Sequence, residues 1–299
     1  MSSVDPGPPP RLIHFTPLRY PGGKGKLAKY VKSLLKLNGL LDGEYVEPYA
    51  GGAAIAFELL LQEYVSHIHI NDVSRLIFAF WDSVLNRTDD LCQLILDTPV
   101  SVRQWDRQKK ILVNAEDHDD LSLGFATFFL NRTNRSGILN GGIIGGRDQT
   151  GPWKIDARFN PQELVRRITT IARMRGRITL TRNDALRFLR SGSKKWPANT
   201  LVYLDPPYYV KGRQLYYDYY EPDDHAKVAA FVVGHLQSQR WIVSYDNVAA
   251  IRSIYSGVRH VIYDIGYSAR SANKGSEIMF FSQGLRIPRL IKPTNLESD

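Results

Sequence analysis

The 299-residue chain is predicted to be an α/β protein built on a doubly wound, mixed sheet of about seven strands. Three observations carry this expectation. Seven short stretches are rich in β-branched and aromatic residues and have turn-like flanks. Helical periodicity fills most of the gaps between them, and such alternation implies mainly parallel pairing. The last two stretches follow each other without room for a good helix, which places an antiparallel hairpin at one edge.

In chain order, residues 1–16 are rich in Pro and Gly and lack the basic start and apolar run of a secretory signal. They read as a flexible leader. Helical periodicity over 24–37 leads into the strand "EYVE" (44–47), then a helix over 52–64, the strand "HIHI" (67–70) and a helix over 74–87. Between 89 and 160 the alternation fails. Helix-like stretches at 89–113 and 120–130 run into 131–160, with six glycines between Gly137 and Gly151. This interval is expected to be an insertion ending in a turn-rich lobe. The alternation resumes with a helix over 161–175 and the strands "ITLT" (178–181) and "LVYL" (201–204). A helix over 223–238 follows, whose Asp223 and Asp224 oppose the positive end of its dipole. The strands "WIVSY" (241–245), "HVIY" (260–263) and "EIMFFS" (277–282) complete the set. The main domain is therefore expected to comprise 17–88 and 161–285, interrupted by 89–160, with a tail at 286–299.

Hydrophobic residues make up 43% and charged residues 23%, ordinary proportions for a globular protein with a sizeable core. No segment approaches ~18 consecutive apolar residues, so no membrane span is expected. Cys92 is the only cysteine and has no intrachain partner, consistent with a reducing cytoplasm. The net charge of +9 raises the expectation of a polyanionic partner. Residues 158–195 carry eleven Lys and Arg against Glu163 and Asp184. That stretch reads as one amphipathic helix with Leu164, Ile168, Ile171 and Met174 facing the core, as a phosphate-binding face, or as both.

In open α/β sheets ligands sit beyond the carboxyl ends of the strands, and three strand ends carry acids. Glu47 and Pro48 close the first strand, and Gly51 and Gly52 open the next helix, where the backbone can approach a ligand and offer unpaired N–H groups. Asp72 ends the second strand, placed either to accept hydrogen bonds from ribose hydroxyls or to cap the following helix. His67 and His69 lie on one side of that strand with no third ligand of suitable spacing, so no metal site is expected. The third end is "LVYLDPPYY" (201–209). Pro206 and Pro207 lack N–H groups and stop the strand, holding Asp205 at the edge of the sheet with Tyr208 close by. A carboxylate and a proline carbonyl make a pair of acceptors suited to an amino group, with an aromatic face for the attached ring.

"LDPPYY" resembles the [D/N/S]PP[Y/F] signature of S-adenosylmethionine-dependent amino-group methyltransferases. "PLRYPGGKGKLAKYV" (17–31), "YVEPYAGGAAIAFELL" (45–60), "HIHINDVSRLI" (67–77) and "FFLNRTNRSGILNGG" (128–142) are similar, in this order, to blocks of the Dam-type DNA adenine N6-methyltransferases. The resemblance implies a Rossmann-like catalytic domain with an inserted, mainly helical target-recognition lobe. It implies that Tyr20, Gly22, Gly23 and Lys24 help close the pocket for S-adenosyl-L-methionine, and that Glu47, Pro48, Tyr49, Gly51 and Gly52 lie under its methionine part. Asp72 would bind its ribose and Asp184 its adenine. Asp205, Pro206, Pro207 and Tyr208 would act on an adenine flipped out of double-stranded DNA; cytosine N4 or RNA adenine methylation, or a catalytically silent DNA-binding role on the same fold, stay open as alternatives. In the lobe, Asn131, Arg132, Asn134, Arg135, Arg147, Asp148, Gln149 and Lys154 are candidates for reading the base sequence. The stretch "GGIIGGRDQTGPWKIDARFN" departs from the family's usual recognition hairpin, so the usual tetranucleotide target is not implied. Tyr216, Tyr217, Tyr219 and Tyr220 are expected either to stack on bases or to pack against the lobe. The resemblance adds DNA to the cytoplasmic expectation drawn from Cys92, and it leaves open a restriction endonuclease or other defence-system partner.

Overall fold

A computed structural model describes residues 15–19, 24–210, 220–265 and 275–289. Seven strands form one sheet: β1 (Gly43–Glu47), β2 (Val65–Asn71), β3 (Ile178–Thr181), β4 (Leu201–Leu204), β5 (Arg240–Asp246), β6 (His260–Ile265) and β7 (Gly275–Phe281). Their order is β3-β2-β1-β4-β5-β7-β6. The first five run parallel, and β7 runs antiparallel to both β5 and β6. The expected edge hairpin is present, with β7 inserted between β5 and β6. Strand order reverses between β1 and β4, so the carboxyl ends of these two neighbours flank the crevice where α/β sheets take ligands.

The helices are α1 (Ala28–Leu37), α2 (Ala54–Leu61), α3 (Arg75–Asn86), α4 (Thr88–Asp97), α5 (Val102–Val113), α6 (Asp120–Thr133), α7 (Pro161–Ala172), α8 (Ala185–Gly192), α9 (Pro222–His235) and α10 (Ala249–Ile254). Local chemistry fixes many of their starts. Ser101 accepts from the Gln104 amide, Asp119 from Ser122 and Asp184 from Arg187. Asn160 accepts from Glu163 with Pro161 in the first turn, and Glu221 with Asp224 forms a reciprocal capping box.

Alternate strand residues supply two cores. Tyr45, Ile68, Leu201, Tyr203 and Ile242 face one side, against residues of α1, α2, α3, α4, α6 and α7. Val46, Val202, Leu204, Val243 and Tyr245 face the other, against α8, α9 and α10.

One expectation changes, that for the basic stretch, and two packing features stand beside the expected domain bounds. Residues of the interval 89–160 pack into the core of the sheet. Leu91, Ile95, Phe125, Phe128 and Phe129 belong to the same core as the strand residues, because α4 and α6 carry apolar faces that α3 and α7 cover. The basic stretch 158–195 is not one helix. It breaks at a 3-10 turn (Arg175–Arg177) that feeds β3, and α8 follows, although Leu164, Ile168 and Ile171 do face the core. The packed chain also starts before residue 17: the Thr16 hydroxyl donates to the Gly52 carbonyl at 2.6 Å. At the other end, Arg286 exchanges two hydrogen bonds with Asn38 at the end of α1. No described helix is long and apolar enough to cross a membrane.

Candidate active site

The loop after β1 is held open by backbone geometry. Gly51 has φ 46° and Ala53 φ 45°, so both residues sit in the left-handed region. Asp72, at the end of β2, accepts the Gly51 amide at 2.8 Å through Oδ2 and the Ser74 amide at 3.0 Å through Oδ1. It therefore reaches the glycine turn and also holds the turn that leads into α3. The Trp81 indole donates to the Gly51 carbonyl at 2.8 Å from beneath.

Asn71, unremarked in the sequence, pins three strand ends together. Its amide donates to the carbonyls of Pro48 and Asn183, and its oxygen accepts from the Thr181 hydroxyl and the Asn183 amide. A fully buried amide with all these bonds made is a rigid strut.

Glu47 is buried and accepts the Tyr45 hydroxyl at 3.0 Å. Burial pushes its carboxyl up to about 8, and the carboxylate of Asp205 on the neighbouring strand end adds to this, against the Tyr45 and Ala56 hydrogen bonds. The two acids expected from the sequence thus come together at the switch point. Asp205 is held from β5: the Ser244 hydroxyl donates to Oδ1 at 2.8 Å and stands 2.9 Å from the Tyr203 hydroxyl. With the Ser244 proton given to the carboxylate, Tyr203 is the donor to Ser244.

Pro206 and Pro207 are buried. Tyr208 is 5% exposed, and its hydroxyl donates to Glu277 Oε1 at 2.9 Å. The Tyr263 hydroxyl holds the other oxygen of Glu277 at 2.8 Å. Asp246, at the end of β5, accepts the amides of Tyr209 and Val210 at 2.9 and 3.1 Å, fixing the turn after the two prolines. The Tyr209 ring lies 5.1 Å from that of His225.

Ser244, Asp246 and Glu277 were missed by the sequence reading. Asp246 repeats a signal already used, an acid at the carboxyl end of a strand. Glu277 arrives from an antiparallel strand, so its place at this edge depends on the direction of β7.

Tyr49 and Tyr220 meet edge-on, with hydroxyls 3.1 Å apart. Asp184 and Asp72 both lie near enough to Tyr220 to raise its phenol, secondary to burial, which with the Tyr49 hydrogen bond leaves it at about 12. Three expected cofactor residues, Tyr49, Asp72 and Asp184, therefore lie around Tyr220. Asp184 itself is exposed and caps α8. Tyr20, Gly22, Gly23 and three of the four expected tyrosines (Tyr216, Tyr217, Tyr219) lie outside the described residues, and for Lys24 only the backbone is described. Cys92 is buried, and burial pushes its thiol up, away from thiolate chemistry. Among the described residues no group of three or more His, Cys, Asp or Glu could hold a metal ion.

The expected DNA-reading residues divide. Asn131 and Asn134 are buried and spend their amides inside the protein. Asn131 bonds both sides of the Arg19 peptide backbone and the Gly137 carbonyl, while Asn134 takes the Trp105 indole and holds the carbonyls of Ile138 and Leu139. They do not reach a surface where bases could be read. Gln149 is a turn strut, bonding the carbonyls of Ile144 and Gly146 and the amide of Ile155. Arg135, Arg147, Asp148 and Lys154 are exposed. Arg147 is engaged by Asp106 in a two-point ion pair at 2.9 and 2.8 Å, and Lys154 donates to the Gln149 carbonyl.

Comparison with known proteins adds the following. No curated protein matches the chain in sequence. Among solved structures 31 chains match. One is a Listeria monocytogenes protein assigned to the class I S-adenosylmethionine-dependent methyltransferases, with 11% identity and a TM-score of 0.36 over 89% of this chain. This chain spans 63% of that protein's length. A family match starts ahead of α1, runs past the end of α6 and stops before Asp205. Over residues 20–140 the chain matches the D12 class N6 adenine-specific DNA methyltransferases.

Proposed function

We propose that this protein transfers a methyl group from S-adenosylmethionine to the N6 amine of an adenine flipped out of duplex DNA. The observation that carries this reading is the meeting of Asp205 and Glu47 at the switch point, with Asp205 fixed by Ser244 and followed by two buried prolines. The family match over residues 20–140 supports the choice of base and atom.

The residues present fit the cofactor. Asp72 supplies acceptors for ribose hydroxyls beside the open Gly51–Ala53 turn, and two neighbouring acids suit a cationic donor. S-adenosylmethionine supplies an electrophilic methyl group on a sulfonium. An exocyclic amine is a poor nucleophile because its lone pair is conjugated with the ring. Asp205 and the Pro206 carbonyl accept its two N–H bonds, which turns the lone pair out of conjugation and toward the methyl carbon. As the new N–C bond forms and the methyl's bond to sulfur breaks to leave a neutral thioether, positive charge would grow on nitrogen, and the Asp205 carboxylate would oppose it without having to reorganise. Asp205 is then the acceptor at hand for the proton the nitrogen loses. Glu277 fixes the ring of Tyr208 through its hydroxyl. At 5% exposure, that ring stacks on an extruded adenine only once its cover gives way, a contact worth about 1–3 kcal/mol by comparison with other base–aromatic stacks. The protein acts with DNA, in the cytoplasm.

Purified protein incubated with duplex DNA and tritiated S-adenosylmethionine should place label in 6-methyladenine after nucleoside digestion. Asp205→Ala should abolish transfer while cofactor binding by calorimetry persists. Full activity of that variant, or label in N4-methylcytosine or preferentially in RNA, sinks the reading.

A further inference from the structure

Four guanidinium groups converge where the N-terminal segment crosses α6 and α7. The Arg132 Nε donates to the Arg158 carbonyl at 2.7 Å and its terminal nitrogen to the Pro17 carbonyl at 3.4 Å. Arg167 donates to the Thr16 carbonyl at 3.2 Å, and Asn131 grips the backbone N–H and carbonyl of Arg19, both at 2.7 Å. Gly137, with φ 75°, closes the far side: a Cβ there would lie 2.0 Å from the Arg19 carbonyl oxygen. Four separate stretches of chain are thus locked around Arg19, Arg132, Arg158 and Arg167.

The charges in this cluster are not balanced. Among the described residues its one carboxylate is Glu163, shared by Arg166 and Arg167. Arg19, Arg132 and Arg158 form no ion pair with another described residue, and a terminal nitrogen of Arg19 is buried with no hydrogen-bond partner among the described residues. Burial lowers Arg132 to about 9, and Arg19, Arg167 and Arg158 beside it add to the effect; Arg19 is lowered by burial and then by Arg158. Arg132 still carries its charge at neutral pH. Unpaired, partly buried cations are destabilising, so the arrangement costs stability unless an anion completes it. The cluster is not sealed. Arg158 is exposed, with its guanidinium 5.7 Å from the ring centre of Trp153, which is itself 64% exposed. A guanidinium fork matches phosphate oxygens in two-point geometry, and an aromatic ring beside it suits a nucleic-acid strand.

We propose that this cluster is a seat for one backbone phosphate of the DNA, with Arg132 and Arg19 as its floor and Arg158 and Trp153 at its mouth. The assignment rests on the reading of DNA as substrate and deepens it. The phosphate positions the duplex and carries no base identity.

The test uses full-length protein and a fluorescent 20-base-pair duplex, with binding followed by anisotropy across a series of KCl concentrations. Arg158→Gln and Arg132→Gln should each lower the slope of log K against log[KCl] by about one. Calorimetric S-adenosylmethionine affinity should stay unchanged. Arg158 is solvent-exposed, so its replacement leaves packing intact even if the Arg132 variant folds poorly. In melting experiments at matched ionic strength, inorganic phosphate should raise the Tm of the wild-type protein relative to chloride, and Arg158→Gln should lose that gain. Without phosphate, Arg158→Gln should melt no lower than wild type, because a like-charge repulsion has been removed. Equal salt slopes in wild type and variants, or an equal phosphate gain, overturn this assignment alone. A wild-type protein without affinity for duplex overturns both this assignment and the reading beneath it.

Discussion

Glu47 is a carboxyl held neutral in the resting protein. Its folded value of about 8 lies above its ordinary value of 4.5, so between these limits the folded state holds a proton that the unfolded state has released. Stability from this group is therefore complete below about 4.5 and is lost as pH rises through about 8. A cation bound beside it favours the ionised form. S-adenosylmethionine should then bind more tightly as pH rises from 6.5 to 8.5, releasing a proton, while the uncharged thioether S-adenosylhomocysteine shows a flat profile. Calorimetry in buffers of different ionisation enthalpy checks this, and Glu47→Gln should flatten the first profile. Ser244 acts through Asp205. Loss of one hydrogen bond to a charged group, about 1.5–3 kcal/mol, should lower the single-turnover methylation rate of Ser244→Ala roughly 10–100-fold with cofactor affinity unchanged.

At the scale of elements, helix α6 shows what packing demands. Its Gly124 touches α3: a Cβ there would lie 2.5 Å from both the Ala79 carbonyl oxygen and the Ser83 hydroxyl. Valine has better intrinsic helix propensity than glycine by a few tenths of a kcal/mol, but a backbone carbonyl cannot rotate away as a side chain can. Gly124→Val should cost roughly 2–4 kcal/mol in urea denaturation. The seven strands were legible because each has a continuous apolar or β-branched run between turn residues. Helices α8 and α10 were not read, because they are short and their pattern merges with the loops that flank them. The break between α4 and α5 at Pro99 was also passed over, since apolar periodicity continues on both sides.

Across the whole molecule, the interval 89–160 shares one core with the sheet. Phe128 stacks on Phe80 at 5.8 Å and meets Phe159 at 5.5 Å, tying α6 to α3 and to the loop before α7. Unfolding followed by circular dichroism and by tryptophan fluorescence should therefore coincide in one transition. A variant in which 89–160 is excised and bridged should be insoluble, because Phe80 and its neighbours lose their cover. Two separate transitions would show that the lobe is an independent unit after all.

The sequence by itself determined the strand succession, the longer helices, the three acids at strand ends and the rigid Asp-Pro-Pro-Tyr stop, since these depend on local pattern and on proline geometry. Only the tertiary structure decided which of them meet. Strand order brought Glu47 and Asp205 to one switch point, and the reversed direction of β7 delivered Glu277 to Tyr208. Burial turned Asn131 and Asn134 from candidate readers into struts and drew Arg132 into a cationic cluster. Polar residue types announce chemistry, but whether they face solvent, a partner or the core is set by contacts between segments far apart in the chain.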